Sequence, residues 1–199
     1  MPSVSLHRMI SSVRTTNKLD SFASIGAMAI GDRQVFYHAC LAMDVASWDG
    51  YINNVVKEYN ESIGDVTNNS LLNYRLSHNL LIDKRLEKFN TPNFDNTRNL
   101  IIECSGYDPV GVWSWPARSM IWQSVQSRLN EVLKIRHSFA HGLSFPTYAW
   151  LPQKSGQCYL NKKIVTDVEK LLIHLATSLD GGLKSHMIAQ YGSNCRPWA

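Results

Sequence analysis

The sequence predicts an all-α fold, a bundle of four to five helices preceded by an N-terminal extension. Three observations carry that expectation. Apolar residues recur at three- and four-residue steps through several long windows. No window shows the two-residue alternation of a half-buried strand. Gly, Pro and Asn gather between the periodic windows, where helices would end. With 199 residues, 44% hydrophobic and 18% charged, the chain suits one domain with a sizeable core.

Residues 1–31 read as an extension, a short helix followed by the small-residue stretch "ASIGAMAIG". The helical domain is expected over 32–191, with a tail at 192–199. Its first helix starts at Asp32 and sets Val35, His38, Ala42, Val45, Asp49, Ile52, Val56 and Tyr59 on one face. "ESIGDVTNN" interrupts it. A second helix over 70–89 carries Arg75, Lys84, Arg85 and Lys88. "NTPN" breaks the chain, and Asp95 is placed to cap a third helix through 104. "SGYDPVGVWSWP" is a turn-rich connector; Trp113, Trp115 and the nearby Trp122 suit core or interface anchors better than base-stacking platforms. A fourth helix over 117–140 turns Trp122, Val125, Leu129, Val132 and Leu133 inward. Gly142, Pro146, Pro152 and Gly156 make 142–160 a long loop. A fifth helix over 161–179 lines up Ile164, Val165, Val168, Leu171, Leu172, Leu175 and Leu179, and "DGG" ends or kinks it before a short amphipathic segment.

The bulk numbers bound the function. Twenty basic and 16 acidic side chains give +4, compatible with a polyanionic partner without requiring one. Cys40, Cys104, Cys158 and Cys195 form no C-x-x-C pair, which speaks against zinc-ribbon and redox motifs. The start of the chain lacks the apolar core of a signal peptide, and no window approaches a membrane span. The expectation is a cytoplasmic protein with reduced thiols, in which "NES" and "NNS" are not glycosylation sites.

One stretch concentrates chemistry. "EVLKIRHSFAHG" gathers Arg136, His137 and His141 where the fourth helix runs out. Seven residues beyond Leu129, Arg136 falls on the face expected to be buried, and an unpaired charge there is costly. Asp49, inside the first helix's apolar stripe, is the partner the spacing offers. A buried structural salt bridge is the plain reading of that pair. His137 and His141 stand four apart, as in H-x-x-x-H zinc pairs, but Ser138 occupies the place of the metalloprotease glutamate and no third ligand follows, so no metal is expected. Arg136 and His141 lie about 140° apart on an ideal helix. They converge only if Gly142 ends the helix and frees His141, or if counterparts meet across a dimer. A permanent cation beside an imidazole suits phosphoryl chemistry, one group neutralising charge while the other moves a proton.

"LKIRHSFAHG" resembles the Arg-x4-His motif of the HEPN superfamily (higher eukaryotes and prokaryotes nucleotide-binding domains). "YHACLAMDVASWDGYINNVVKEY" resembles that family's opening long helix, with Asp49 and Tyr51 as its acidic and aromatic positions. "KFNTPNFDNTRNLIIECSGYDPVGVWSW" resembles the connector of the RiboL-PSP-type branch. The resemblance implies a helical bundle that dimerises with its motif helices facing each other. It also implies a metal-independent, cofactor-free endoribonuclease of toxin–antitoxin or phage-defence systems, with an antitoxin or defence protein as a further partner. On that resemblance Arg136 would bind the scissile phosphate, and His141 would handle the proton of the ribose 2′-OH or of the leaving 5′-oxygen. His137 would add a polar contact and Asp49 would orient Arg136 or His141. The products would be a 2′,3′-cyclic phosphate and a 5′-hydroxyl. Two departures stand out: His137 replaces a frequent Asn and Asp49 a frequent Glu. The alternative is a non-catalytic module for RNA or nucleotide binding or for dimeric assembly. For RNA contact the sequence offers Lys84, Arg85, Lys88 and Lys154, with Phe145, Tyr148 and Trp150 in the loop; those aromatics equally suit a cover for the bundle's end.

Overall fold

Helix α2 (Ile30–Glu61) is the axis on which the other helices pack. Cys40, Leu41, Val45, Trp48, Tyr51, Ile52, Val55, Val56 and Tyr59 are all buried and fall within one broad face of the helix. The computed structural model describes residues 2–23, 30–63 and 69–198; the rest of the small-residue stretch, at 24–29, and the interruption at 64–68 lie outside them. The chain continues through α3 (Asn69–Leu86), α4 (Phe94–Ser105), α5 (Trp122–Ala140) and α6 (Lys162–Tyr191), after α1 (Val4–Ala23). All five of these helices touch α2. The fold is an all-α bundle, as the periodicity predicts. Among the described residues, no helix is long and apolar enough to cross a membrane.

Three aromatic side chains lock the centre. Trp48 donates from Nε1 to the Pro92 carbonyl at 2.9 Å, and Tyr51 from its hydroxyl to the Ala176 carbonyl at 2.9 Å. Trp113 donates from Nε1 to the Leu175 carbonyl at 3.3 Å. Each buries a large ring and satisfies its polar end. Trp115 and Trp122 pack half-buried against the same core, so the tryptophans of the connector are anchors. All four cysteines are free thiols.

The first helix is a layer of the bundle rather than a free extension. Its Leu6, Met9 and Val13 are buried. Ser3 caps it, accepting from the Leu6 amide at 3.0 Å while its own amide and hydroxyl donate to Asp180. Glu58 accepts from the Val4 and Ser5 amides at 2.8 and 3.0 Å. Two carboxylates from α2 and α6 thus satisfy amides at the positive end of α1. Burial pushes the Asp180 carboxyl up, with the Ser3 hydrogen bonds pulling against it. The tail also docks: the Arg196 amide donates to the Ser62 carbonyl at 2.8 Å, and Trp198 is buried.

Several boundaries differ from expectation for local reasons. Asn93, not Asp95, caps α4, accepting from the Asn96 amide; Asp95 instead accepts from Gln126 of α5 at 2.7 Å. Helix α5 begins at Trp122 rather than 117, because Pro116 opens a 3-10 turn and Ser119 adopts a positive φ of 53°. The loop at 142–160 contains a minimal hairpin, β1 (Gln153–Lys154) paired with β2 (Gln157–Cys158). "DGG" does not end the helix: α6 runs through it to Tyr191. The Tyr107 ring lies where a Cβ on Gly182 would project, so that glycine serves close packing, not chain reversal.

Gly182→Ala should therefore destabilise the fold by about 1–3 kcal/mol through overpacking. In a Tyr107→Ala background the same change should stabilise by up to about 1 kcal/mol, the helix-propensity gain of Ala over Gly. Urea melts of the four proteins measure the cycle; equal effects in both backgrounds would remove Tyr107 as the reason for the glycine.

Candidate active site

The last turn of α5 ends in a left-handed turn built on Gly142, whose φ is +63°. The Leu143 amide donates to the Ser138 carbonyl at 2.8 Å and the Gly142 amide to Phe139 at 3.4 Å. This is the pairing of a Schellman end, the termination that the glycine predicts. His141 is the last half-helical residue, with φ −111° and ψ 10°. Its ring does not swing free but lies against His137, centroids 4.1 Å apart at 44°.

Beside this helix end opens a cavity of about 790 Å³, within the size range of small-ligand sites. Helix α2 contributes Val45, Ala46 and Asp49, and α5 contributes Asn130, Leu133, Lys134, Arg136, His137 and Ser138. Residues 90–93, immediately before α4, form another wall, so the positive end of that helix lies at the cavity. Leu143, Ser144, Pro146 and Tyr148 of the loop complete it. Asn130 ties two walls together, accepting from the Phe94 amide at 3.1 Å.

Arg136 is exposed, contrary to its expected place on the buried face. The buried line of α5 steps from Val132 to Ile135 to Ser138, rotating away from the heptad continuation that leads to Arg136. No buried salt bridge forms with Asp49. The two share the cavity wall and interact through space. Burial raises the Asp49 carboxyl above its ordinary range; a hydrogen bond from Asn53 Nδ2 at 3.1 Å, and then the Arg136 charge, oppose the shift. Tyr51, the aromatic two residues on, is a core anchor whose hydroxyl burial pushes well up, with Asp180 and Glu58 adding to it.

The structure therefore gathers Asp49, Arg136 and His137 on one cavity, with His141 in ring contact just outside its wall. The other basic residues lie elsewhere. Lys84, Arg85 and Lys88 line a separate depression between α3 and α4, where Arg85 pairs with Glu103 at 2.9 Å. Lys154 is exposed in the hairpin. Of the loop aromatics only Tyr148 reaches the cavity; Phe145 meets His38 edge-on, and Trp150 donates to Glu131 at 2.6 Å. Sequence reasoning missed Lys134 and Asn130, two and six residues before Arg136. Their signal was available: Lys134 adds a cation next to the motif. Among the described residues, no three His, Cys, Asp or Glu side chains cluster as metal ligands.

A family model described as RiboL-PSP-HEPN matches residues 9–179 of this chain. The match begins inside α1, in keeping with that helix's place in the bundle. No curated protein and no solved structure matches the chain significantly.

Replacing Asp49 by Asn keeps an acceptor for Asn53 and removes a carboxylate that burial disfavours in its charged form. Because folding raises this carboxyl's pKa, the native state loses stability as pH climbs from the unfolded value to the folded one. Asp49→Asn should accordingly melt higher than wild type at neutral pH, and the difference should vanish below the ordinary Asp range. Thermal melts at pH 3.5 and 7.5 decide it; a lower melting point at pH 7.5 would show that the Arg136 attraction outweighs burial.

Proposed function

Because the chain belongs to the RiboL-PSP-HEPN family, whose members act in RNA cleavage or nucleotide binding, we propose that it is a metal-independent endoribonuclease with a composite site at a homodimer interface. The observation that carries this reading is the shared cavity wall of Asp49, Arg136 and His137, with the His141 ring in contact with His137. A phosphodiester seated there meets a permanent cation and the His137 imidazole, with the His141 ring against the latter.

In this mechanism the ribose 2′-oxygen attacks the adjacent phosphorus while His141 takes its proton. The P–O5′ bond breaks and the 5′-oxygen leaves with a proton, which His137 or a histidine of the second protomer is suited to return. Arg136 neutralises charge growing on the non-bridging oxygens, with Lys134 adding to the field. Asp49, held by Asn53, orients Arg136 and limits the positions open to it. The products are a 2′,3′-cyclic phosphate and a 5′-hydroxyl, and no water is consumed in the step. A role as a toxin or phage-defence effector, silenced by an antitoxin or other partner protein, fits such an activity.

Exposed apolar side chains support the dimer. Phe139 is 44% exposed, Leu143 59% and Val35 55%. Phe139 stacks on His38 at 4.4 Å, which joins the end of α5 to the start of α2 in one surface. Burial lowers the His38 pKa, so that ring tends to the neutral, stackable form. One observation favours the second reading, a non-catalytic RNA- or nucleotide-binding module: within one protomer His141 stands outside the cavity wall.

Wild-type protein in EDTA should cleave a mixed RNA pool to 2′,3′-cyclic ends. His141→Ala should lose about 10²–10⁴-fold in rate, the usual worth of a positioned acid or base. No cleavage by wild type would move the assignment to the binding module, and full cleavage by the variant would take His141 out of the cleavage step. Sedimentation should give a dimer, and Val35→Glu with Leu143→Glu should give a folded monomer of much reduced activity. A wild-type monomer would remove the composite site.

A further inference from the structure

A second pocket of about 230 Å³ lies along α5 from the Arg136 cavity, framed by two arginine–tryptophan pairs. The Arg118 guanidinium sits 5.4 Å above the Trp115 ring and the Arg128 guanidinium 4.2 Å above Trp150. Each indole carries another ring as well. His174 stacks on Trp115 at 5.3 Å and 14°, and Tyr148 lies parallel to Trp150 at 6.4 Å and 6°. The tryptophans are engaged in holding guanidiniums, not in offering faces to bases.

A guanidinium held over an indole keeps its N–H groups free for an acceptor. Arg118 commits one nitrogen to Asp167 Oδ1 at 2.9 Å. Arg128 Nε is buried and has no acceptor within hydrogen-bond distance. The nearest carboxylate oxygen, Glu131 Oε2, is 3.9 Å away and already accepts from Trp150 Nε1. The lining holds two cations and the carboxylate of Asp167, while the Glu131 carboxylate beside Arg128 is shared with Trp150. The volume falls below the roughly 300–1,000 Å³ that encloses a whole small ligand. It suits a phosphate with part of its sugar.

The pocket also adjoins the site already described. Tyr148 lines the Arg136 cavity, and its stacking partner Trp150 lines this pocket. Arg128 and Arg136 are eight residues apart on α5, about 12 Å along its axis. We propose that the Arg118–Arg128 pocket is a phosphate-binding subsite for the RNA strand, seating a backbone phosphate a few nucleotides from the scissile one. The subsite rests on the RNA reading of the Arg136 cavity. It adds no chemistry to the cleavage step; it sets register and affinity.

The test uses the full chain and a short, dye-labelled single-stranded RNA that is 2′-O-methylated throughout, so that it binds without being cut. Fluorescence anisotropy over a salt series compares wild type, Arg118→Gln, Arg118→Gln with Arg128→Gln, and Arg136→Gln. The double variant should bind about tenfold more weakly, with a log–log salt slope shallower by about 0.7, the signature of one lost single-strand phosphate contact. On unmodified RNA its KM should rise while kcat holds. Arg118→Gln, altering a side chain 45% exposed, leaves the fold intact and should show part of the loss. Unchanged affinity and slope in the double variant, alongside weakened binding by Arg136→Gln, overturns the subsite alone. So does weaker binding at unchanged slope in a variant with a lowered melting point, since the arginines would then be structural. Wild-type protein that binds no RNA overturns the reading of the cavity and the subsite with it.

Discussion

Everything in this bundle answers to the broad buried face of α2. A helix that touches every other helix needs a wide apolar face, and polar groups such as Asp49 stand at the half-buried edge of that face. Two consecutive residues show the consequence. Trp48 turns into the core and pins the 92 carbonyl, while Asp49 turns to the edge and enters the cavity. One residue fixes a wall of the site and the next supplies its carboxylate. The cavity is therefore a product of the same helix that organises the core.

Its electrostatics follow from where α5 ends. Anion sites commonly use the amide-rich start of a helix, but Arg136, His137 and His141 stand at a C-terminus, the negative end of the dipole. The backbone there offers carbonyls, not donors, so the positive charge must come from side chains. The start of α4 is a helix end at the cavity whose dipole attracts an anion, but its Phe94 and Asn96 amides are already taken by Asn130 and Asn93.

The sequence made the bundle legible because helix faces repeat locally, and the family-like blocks put Asp49, Arg136 and His137 in one place. Gly142 announced its own turn. What stayed hidden was set by partners distant in the chain. Nothing near Ser3 tells of Glu58 or Asp180, so a docked helix read as an extension. Gly182 reads as a helix breaker until Tyr107 is seen against it. Arg136 read as buried because a period extrapolated from Leu129 cannot know that the line of contact has moved to Ile135 and Ser138. The grouping of Arg118 and Arg128 over two tryptophans was invisible for the same reason, since Trp150 and Asp167 come from beyond the motif.

The exposure of the motif bears on how it would work. Arg136, His137 and His141 are all in water in one protomer, where charge–charge interactions are screened and worth about 1 kcal/mol at contact distance. The same groups become several times more effective once water is displaced. On the proposed function two covers would do so, an RNA strand lying across the cavity and a second protomer lying on Val35, Phe139 and Leu143. Those apolar residues border the motif rather than sit apart from it, so whatever covers them also dries the cations. In the proposed dimer, assembly and catalytic competence would then be one event: association supplies the low dielectric that the isolated helix end lacks.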